Sequence, residues 1–111
     1  MSAFRFGNNI VKIEIEDLIF RVIITKELHE TLIKNNDKLE MLKKALDDLS
    51  DAEKEIETIG GLDGLIDNIL GAGAAAEIFG SREPDAFERV AVYIYICDRI
   101  KRHIYGFTDN E

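Results

Sequence analysis

The hydrophobic period of this chain changes once, at Thr25, and that change decides its fold class. Before it, Ala3–Phe6, Ile10–Ile15 and Leu18–Ile24 are β-branched or aromatic runs with partial alternation, which predict two or three short strands. Gly7-Asn8-Asn9 tolerates the positive φ of a tight turn, and Glu16-Asp17 can reverse the second strand into the third. The expected unit is an antiparallel β-meander over residues 1–24. Lys12, Glu14 and Glu16 fall on one side of the second strand, so one face is wet and the other dry.

From Thr25, which can cap a helix, Leu28, Leu32, Leu39, Leu42, Leu46, Leu49 and Ile56 recur at three- and four-residue steps. This spacing predicts one long amphipathic helix ending at Gly60-Gly61. Asn35 and Glu53 interrupt its seam, and a break near residues 34–37 is the second choice. Leu62, Leu65, Ile66, Ile69 and Leu70 then predict a short helix, Ala74–Phe79 another between Gly71-Ala72-Gly73 and Gly80, and Pro84 opens a last helix through Tyr105 with Gly106 as its stop. In that last helix Phe87, Val90, Ile94, Cys97 and Ile104 form one stripe, and Val92, Tyr93, Tyr95 and Ile96 cover much of the rest. A helix so apolar is central or sits at an interface. The expectation is thus a single α+β domain over 1–111: the meander, a helical part over 25–106 with about four helices, and a frayed tail over 107–111.

Composition bounds the function. Fourteen basic against 22 acidic residues give a net charge of −8, which disfavours phosphate-neutralising nucleic-acid binding and charge-driven membrane binding. Six acids between Asp47 and Glu57 stand against Lys54 alone, so that stretch repels acidic surfaces. The longest unbroken apolar run, Val90–Cys97, is far short of the roughly 20 residues that span a bilayer. One cysteine allows no internal disulfide, and the opening residues lack the apolar run of a signal peptide, so the expected compartment is the cytoplasm.

No motif supports catalysis, a metal or a cofactor. Gly71-Ala72-Gly73-Ala74-Ala75-Ala76 has the form of a dinucleotide fingerprint, but that fingerprint needs a buried strand before it, and the preceding residues have helical spacing. Close packing explains these small residues better. The acids around Asp47–Asp51 lack the glycine turn of a calcium loop and read as a solvated helix face. His29 and His103 have no ligand pattern near them. Cys97 lies inside an apolar run, where a thiol packs as a small hydrophobe. What remains is surface for partners: a short sheet with edges, a heptad-like stripe and an apolar last helix. Assembly and simple packing within a monomer both stay open on these residues.

The order of parts resembles one family. A strand pair, a long charged helix, the stretch ILGAGAAAEIFG and the closing DAFERVAVYIYICDRI are similar to tail assembly chaperones of long-tailed phages or prophages of Gram-positive bacteria. Ile66, Leu70, Gly71, Gly73, Ile78, Phe79 and Gly80 match that family's pattern of spaced apolar residues, glycines and IFG, and the likeness covers nearly the whole chain. The resemblance implies a non-enzymatic, homo-oligomeric protein. Such a protein holds the tape measure protein while the tail tube polymerises, with the major tail tube protein as a further partner, and is absent from the finished virion. This chain would correspond to the short form where a longer frameshifted form exists. On that reading Phe87, Val90, Tyr93, Ile94 and Cys97 of the last helix and the Ile78-Phe79 corner make subunit or client contacts. The competing reading is a small structural component, a tail completion or head-tail joining protein that stays in the virion. An acidic nucleic-acid mimic ranks last, because the strand region is neutral and the last helix slightly positive.

Overall fold

The computed structural model describes residues 9–47 and 52–104. Two strands, β1 (Ile10–Ile15) and β2 (Leu18–Ile23), are followed by four helices: α1 (Lys26–Ala45), α2 (Ala52–Leu70), α3 (Ala74–Phe79) and α4 (Ala86–Ile104). The fold is α+β. The expected strand at Ala3–Phe6, the Gly7-Asn8 part of the first turn, Gly106 and the tail over 107–111 lie outside the described residues.

β1 and β2 form an antiparallel hairpin in the register Ile10↔Ile23 to Ile15↔Leu18. The turn is Glu16-Asp17, where Glu16 takes a φ of 54°. Val11, Ile13 and Val22 are buried while Lys12, Glu14 and Arg21 are exposed, so the dry and wet faces follow the alternation. Ile24 N–H donates to the Asn9 carbonyl at 2.6 Å. In an antiparallel ladder this pairs residues 11 with 22 and 13 with 20, and turns the peptide groups of Lys12 and Glu14 outward, away from β2. The Tyr95 hydroxyl meets one of them, donating to the Glu14 carbonyl at 2.9 Å. α4 thereby covers the end of the β1 edge.

Thr25 caps α1, its Oγ1 accepting from Leu28 N–H at 3.0 Å. The helix does not run on to Gly60-Gly61 and does not break at 34–37. It ends at Ala45, and α2 starts at Ala52. The charges account for the place: Lys43 and Lys44 sit at the negative end of α1, and Glu53 and Glu55 at the positive start of α2, whereas one continuous helix would forgo both. Asn35 does not bend α1 because it is buried against α2, where its Nδ2 donates to the Leu65 carbonyl at 3.1 Å and its Oδ1 accepts from Asn68 at 3.2 Å.

Gly60 and Gly61 lie inside α2, which absorbs the expected short helix. Ile59, Leu62, Leu65, Ile66 and Ile69 bury one continuous stripe, and the burial outweighs a helix-propensity cost of about 1 kcal/mol per glycine. α2 is the centre of the molecule: α1, α3, α4 and β2 all pack against it. The core is closed by Ile13, Phe79, Ala86, Tyr93, Ile96 and Ile100.

Between α2 and α3, Gly71 and Gly73 adopt positive φ values of 116° and 87°. The Asp67 carboxylate accepts from Gly73 N–H at 3.2 Å and from Ala75 N–H at 2.8 Å, capping α3 from the preceding helix. These are amides that a dinucleotide fingerprint would aim at a pyrophosphate. Here they hold a side chain of the same protein. At the next junction Pro84 precedes α4 rather than standing in its first turn, and Asp85 caps the helix: its Oδ1 accepts from Phe87 N–H at 2.9 Å and Glu88 N–H at 3.2 Å.

Candidate functional site

α1 and α4 both pack against α2, and the cleft between them stays open. It has a volume of about 540 Å³. Its floor is Leu39, Tyr93 and Ile100, all buried. Its walls are Ile33, Ile94 and Ile104, which are 55%, 50% and 47% exposed. Water-facing isoleucines above a buried apolar floor are costly to leave uncovered, at roughly 25 cal/mol for each Å² of apolar surface. His29, Asn36, Asp37, Asp98 and Lys101 line the polar parts.

The last-helix stripe expected from sequence is the helix flank rather than its core seam. The seam runs one residue earlier, through Ala86, Arg89, Tyr93, Ile96 and Ile100. Ala86 and Arg89 carry little hydrophobic signal, which is why the neighbouring stripe stands out in the sequence. Arg89 is 6% exposed, its Nε donating to Asp63 Oδ1 at 3.2 Å and its guanidinium lying 3.8 Å from the centre of the Phe79 ring. Its Nη1 is buried without a hydrogen-bond partner.

The expected contact residues therefore divide. Phe87, 62% exposed, and Ile94 face water, while Ile78, Val90 and Cys97 are half-buried. Phe79 and Tyr93 are each 3% exposed and belong to the core; Phe79 carries the Arg89 guanidinium, and Tyr93 lies under the cleft. Ile94 and Cys97 join Tyr93 in lining the cleft, whereas Ile78, Phe79, Phe87 and Val90 do not. The residues that sequence reading missed are those of α1, Ile33 above all. Only the placement of α1 beside α4 shows that two apolar flanks make one groove.

The chemistry of the cleft is that of packing. Burial pushes the Cys97 thiol up, away from the thiolate a nucleophile needs, although Tyr93 and Lys101 oppose the shift. Burial likewise raises the Tyr93 phenol, whose hydroxyl meets Cys97 and Asn35. Among the described residues no group of three His, Cys, Asp or Glu side chains could hold a metal ion. Nor, among them, is any helix long and apolar enough to cross a membrane. No family model, no curated protein and no solved structure matches this chain.

Proposed function

We propose that this protein is a non-catalytic assembly chaperone that seats helical segments of a client in the groove between α1 and α4. The observation that carries the reading is the groove itself, whose walls expose Ile33, Ile94 and Ile104 above a buried apolar floor. An amphipathic helix laid into such a groove covers its own apolar stripe and that of the chaperone at once. The sequence resemblance to tail assembly chaperones supplies the client: the tape measure protein, held in the host cytoplasm until the tail tube encloses it. The net charge of −8 suits a protein needed in many copies, because it keeps them soluble. Homo-oligomerisation along the client and an encounter with the tail tube protein belong to the same proposal.

Co-expression and pull-down with the tape measure protein encoded nearby, followed by light scattering of the complex, tests it. The expected result is many copies per client, with the client soluble. Lack of binding, together with recovery of the protein in purified virions, would instead establish the small structural component.

A further inference from the structure

β2 takes no part in the α1–α4 groove, and one side of its ladder is unused. We infer that this free edge of β2 is a second binding surface, for an extended segment of a partner protein that sets an acidic residue between two apolar ones at alternate positions. The hydrogen-bond pattern fixes which groups are on offer. Residues 11 with 22 and 13 with 20 exchange their bonds inside the hairpin, so the peptide groups of Ile19, Arg21 and Ile23 point away from β1. Among the described residues nothing bonds to them. Their N–H donors and carbonyl acceptors stand in a row of about 13 Å at 3.3 Å per residue, which an added strand meets with its own main chain. Little blunts this edge: the register with β1 runs unbroken from Ile10↔Ile23 to Ile15↔Leu18, and β2 contains neither proline nor glycine. On the opposite edge the Tyr95 hydroxyl already takes the Glu14 carbonyl.

The side chains of the same three residues supply selectivity. Ile19 and Ile23 are 49% and 55% exposed on the wet face of the hairpin, and Arg21 is exposed between them. Among the described residues no ion pair or hydrogen bond holds the Arg21 guanidinium. Lys12, across from it in the register, is matched by Glu14 at 3.5 Å, so these two offset each other. Asp17 at the turn lies four residues along the strand, roughly 13 Å away and beyond the screening length of about 8 Å. The middle of the edge is therefore positive, and a carboxylate directly opposite Arg21 meets that charge while apolar residues two places to either side cover Ile19 and Ile23. The same arginine decides against a second copy of β2. Antiparallel pairing of β2 with itself, centred on residue 20, 21 or 22, sets Arg21 opposite or diagonal to the copy's Arg21, and like charges so placed oppose it.

Two end-capped peptides test this, valine-threonine-glutamate-threonine-valine and its counterpart with lysine for glutamate, each titrated into the isotope-labelled full chain while amide hydrogen exchange is followed by NMR. The glutamate peptide is expected to slow exchange at the Ile19, Arg21 and Ile23 amides and to bind about fivefold tighter than the lysine peptide. Arg21→Glu is expected to reverse that order. Ile23→Pro removes one outward N–H and spares the bonds to β1, and is expected to abolish the protection at Ile19 and Arg21. N-methylation of the peptide's glutamate, which leaves the protein untouched, is expected to do the same. Ile94→Asp, in the groove, is expected to leave binding at the edge unchanged, so this inference and the groove reading stand or fall separately. Absence of protection at millimolar glutamate peptide overturns the inference, as does equal affinity for the two peptides. Protection of the same amides that grows with the concentration of the chain alone assigns the edge to a second copy and overturns it likewise.

Discussion

Leu42 of α1 packs onto Gly61 of α2 so closely that a Cβ on that glycine would lie 2.8 Å from Leu42 Cδ2. The glycine that looks like a helix stop is thus where two helices touch. Its neighbours differ: a Cβ at Gly60 or Gly64 would meet nothing within 4 Å.

The three glycines of α2 should therefore respond differently. Gly60→Ala and Gly64→Ala are expected to stabilise the fold by about 0.5–1 kcal/mol each, through helix propensity. Gly61→Val is expected to destabilise it by about 1–3 kcal/mol, because Leu42 must move out of a packed interface. Urea denaturation of the three variants reads this directly; equal effects at Gly60 and Gly61 would contradict the packing.

Asn35 joins α1 to α2 through two side-chain hydrogen bonds, to the Leu65 carbonyl and from Asn68. Asn35→Ala strips both from a position that is 3% exposed, and a loss of about 1–3 kcal/mol is expected. Asn68→Ala, at an exposed residue, should cost less, and a double-mutant cycle of the pair should show coupling.

Arg89 is a buried cation held by Asp63 and by the Phe79 ring. Arg89→Ala removes both contacts and leaves a void, with an expected cost of about 2–4 kcal/mol. Arg89→Met keeps the volume and discards the unpartnered Nη1, so it should cost clearly less. Identical midpoints for the two variants would show that volume is not what Arg89 contributes. Phe79→Asp places a charge in the core beside Asp63 and Arg89, and is expected to unfold the protein rather than report on partner contacts.

The Cys97 thiol and Tyr93 phenol both have folded-state values raised by burial. Raised acids keep their protons in the folded state after the unfolded chain has begun to lose them. Their contribution is complete below the unfolded thiol's value of about 8.5 and is lost as pH rises above it. Stability measured in urea should be flat in this respect up to pH 8 and fall towards pH 11. Cys97→Ala should flatten the first part of the fall and Tyr93→Phe the later part, and an unchanged slope in both variants would contradict the burial of these groups.

Much of the fold is legible in the sequence because local physics decides it. Val11, Ile13 and Val22 alternate with charges, Thr25 caps, and Gly80 stops α3 with a φ of 44°. The α1–α2 junction is not legible, because the leucine spacing runs on past it and only the charges at residues 43–55 mark the ends. Gly61 is misread for a related reason: its role depends on Leu42, nineteen residues away in sequence and in contact only once α1 packs on α2. Within the candidate site, Ile94 and Cys97 are visible as part of an apolar helix, but Ile33 joins them only through the packing of both helices on α2. Tyr93 stands out equally in the sequence and turns out to be floor rather than wall.

If the α1–α4 groove holds the client, as proposed, variants of its walls must lose the client, and solubility of the tape measure protein on co-expression reads this. The wild-type chain and a Gly60→Ala control should keep the client in the supernatant, while Ile33→Asp and Ile94→Asp, folded by circular dichroism, should leave it in the pellet. Client solubility unchanged by both variants would show that the groove does not hold the client.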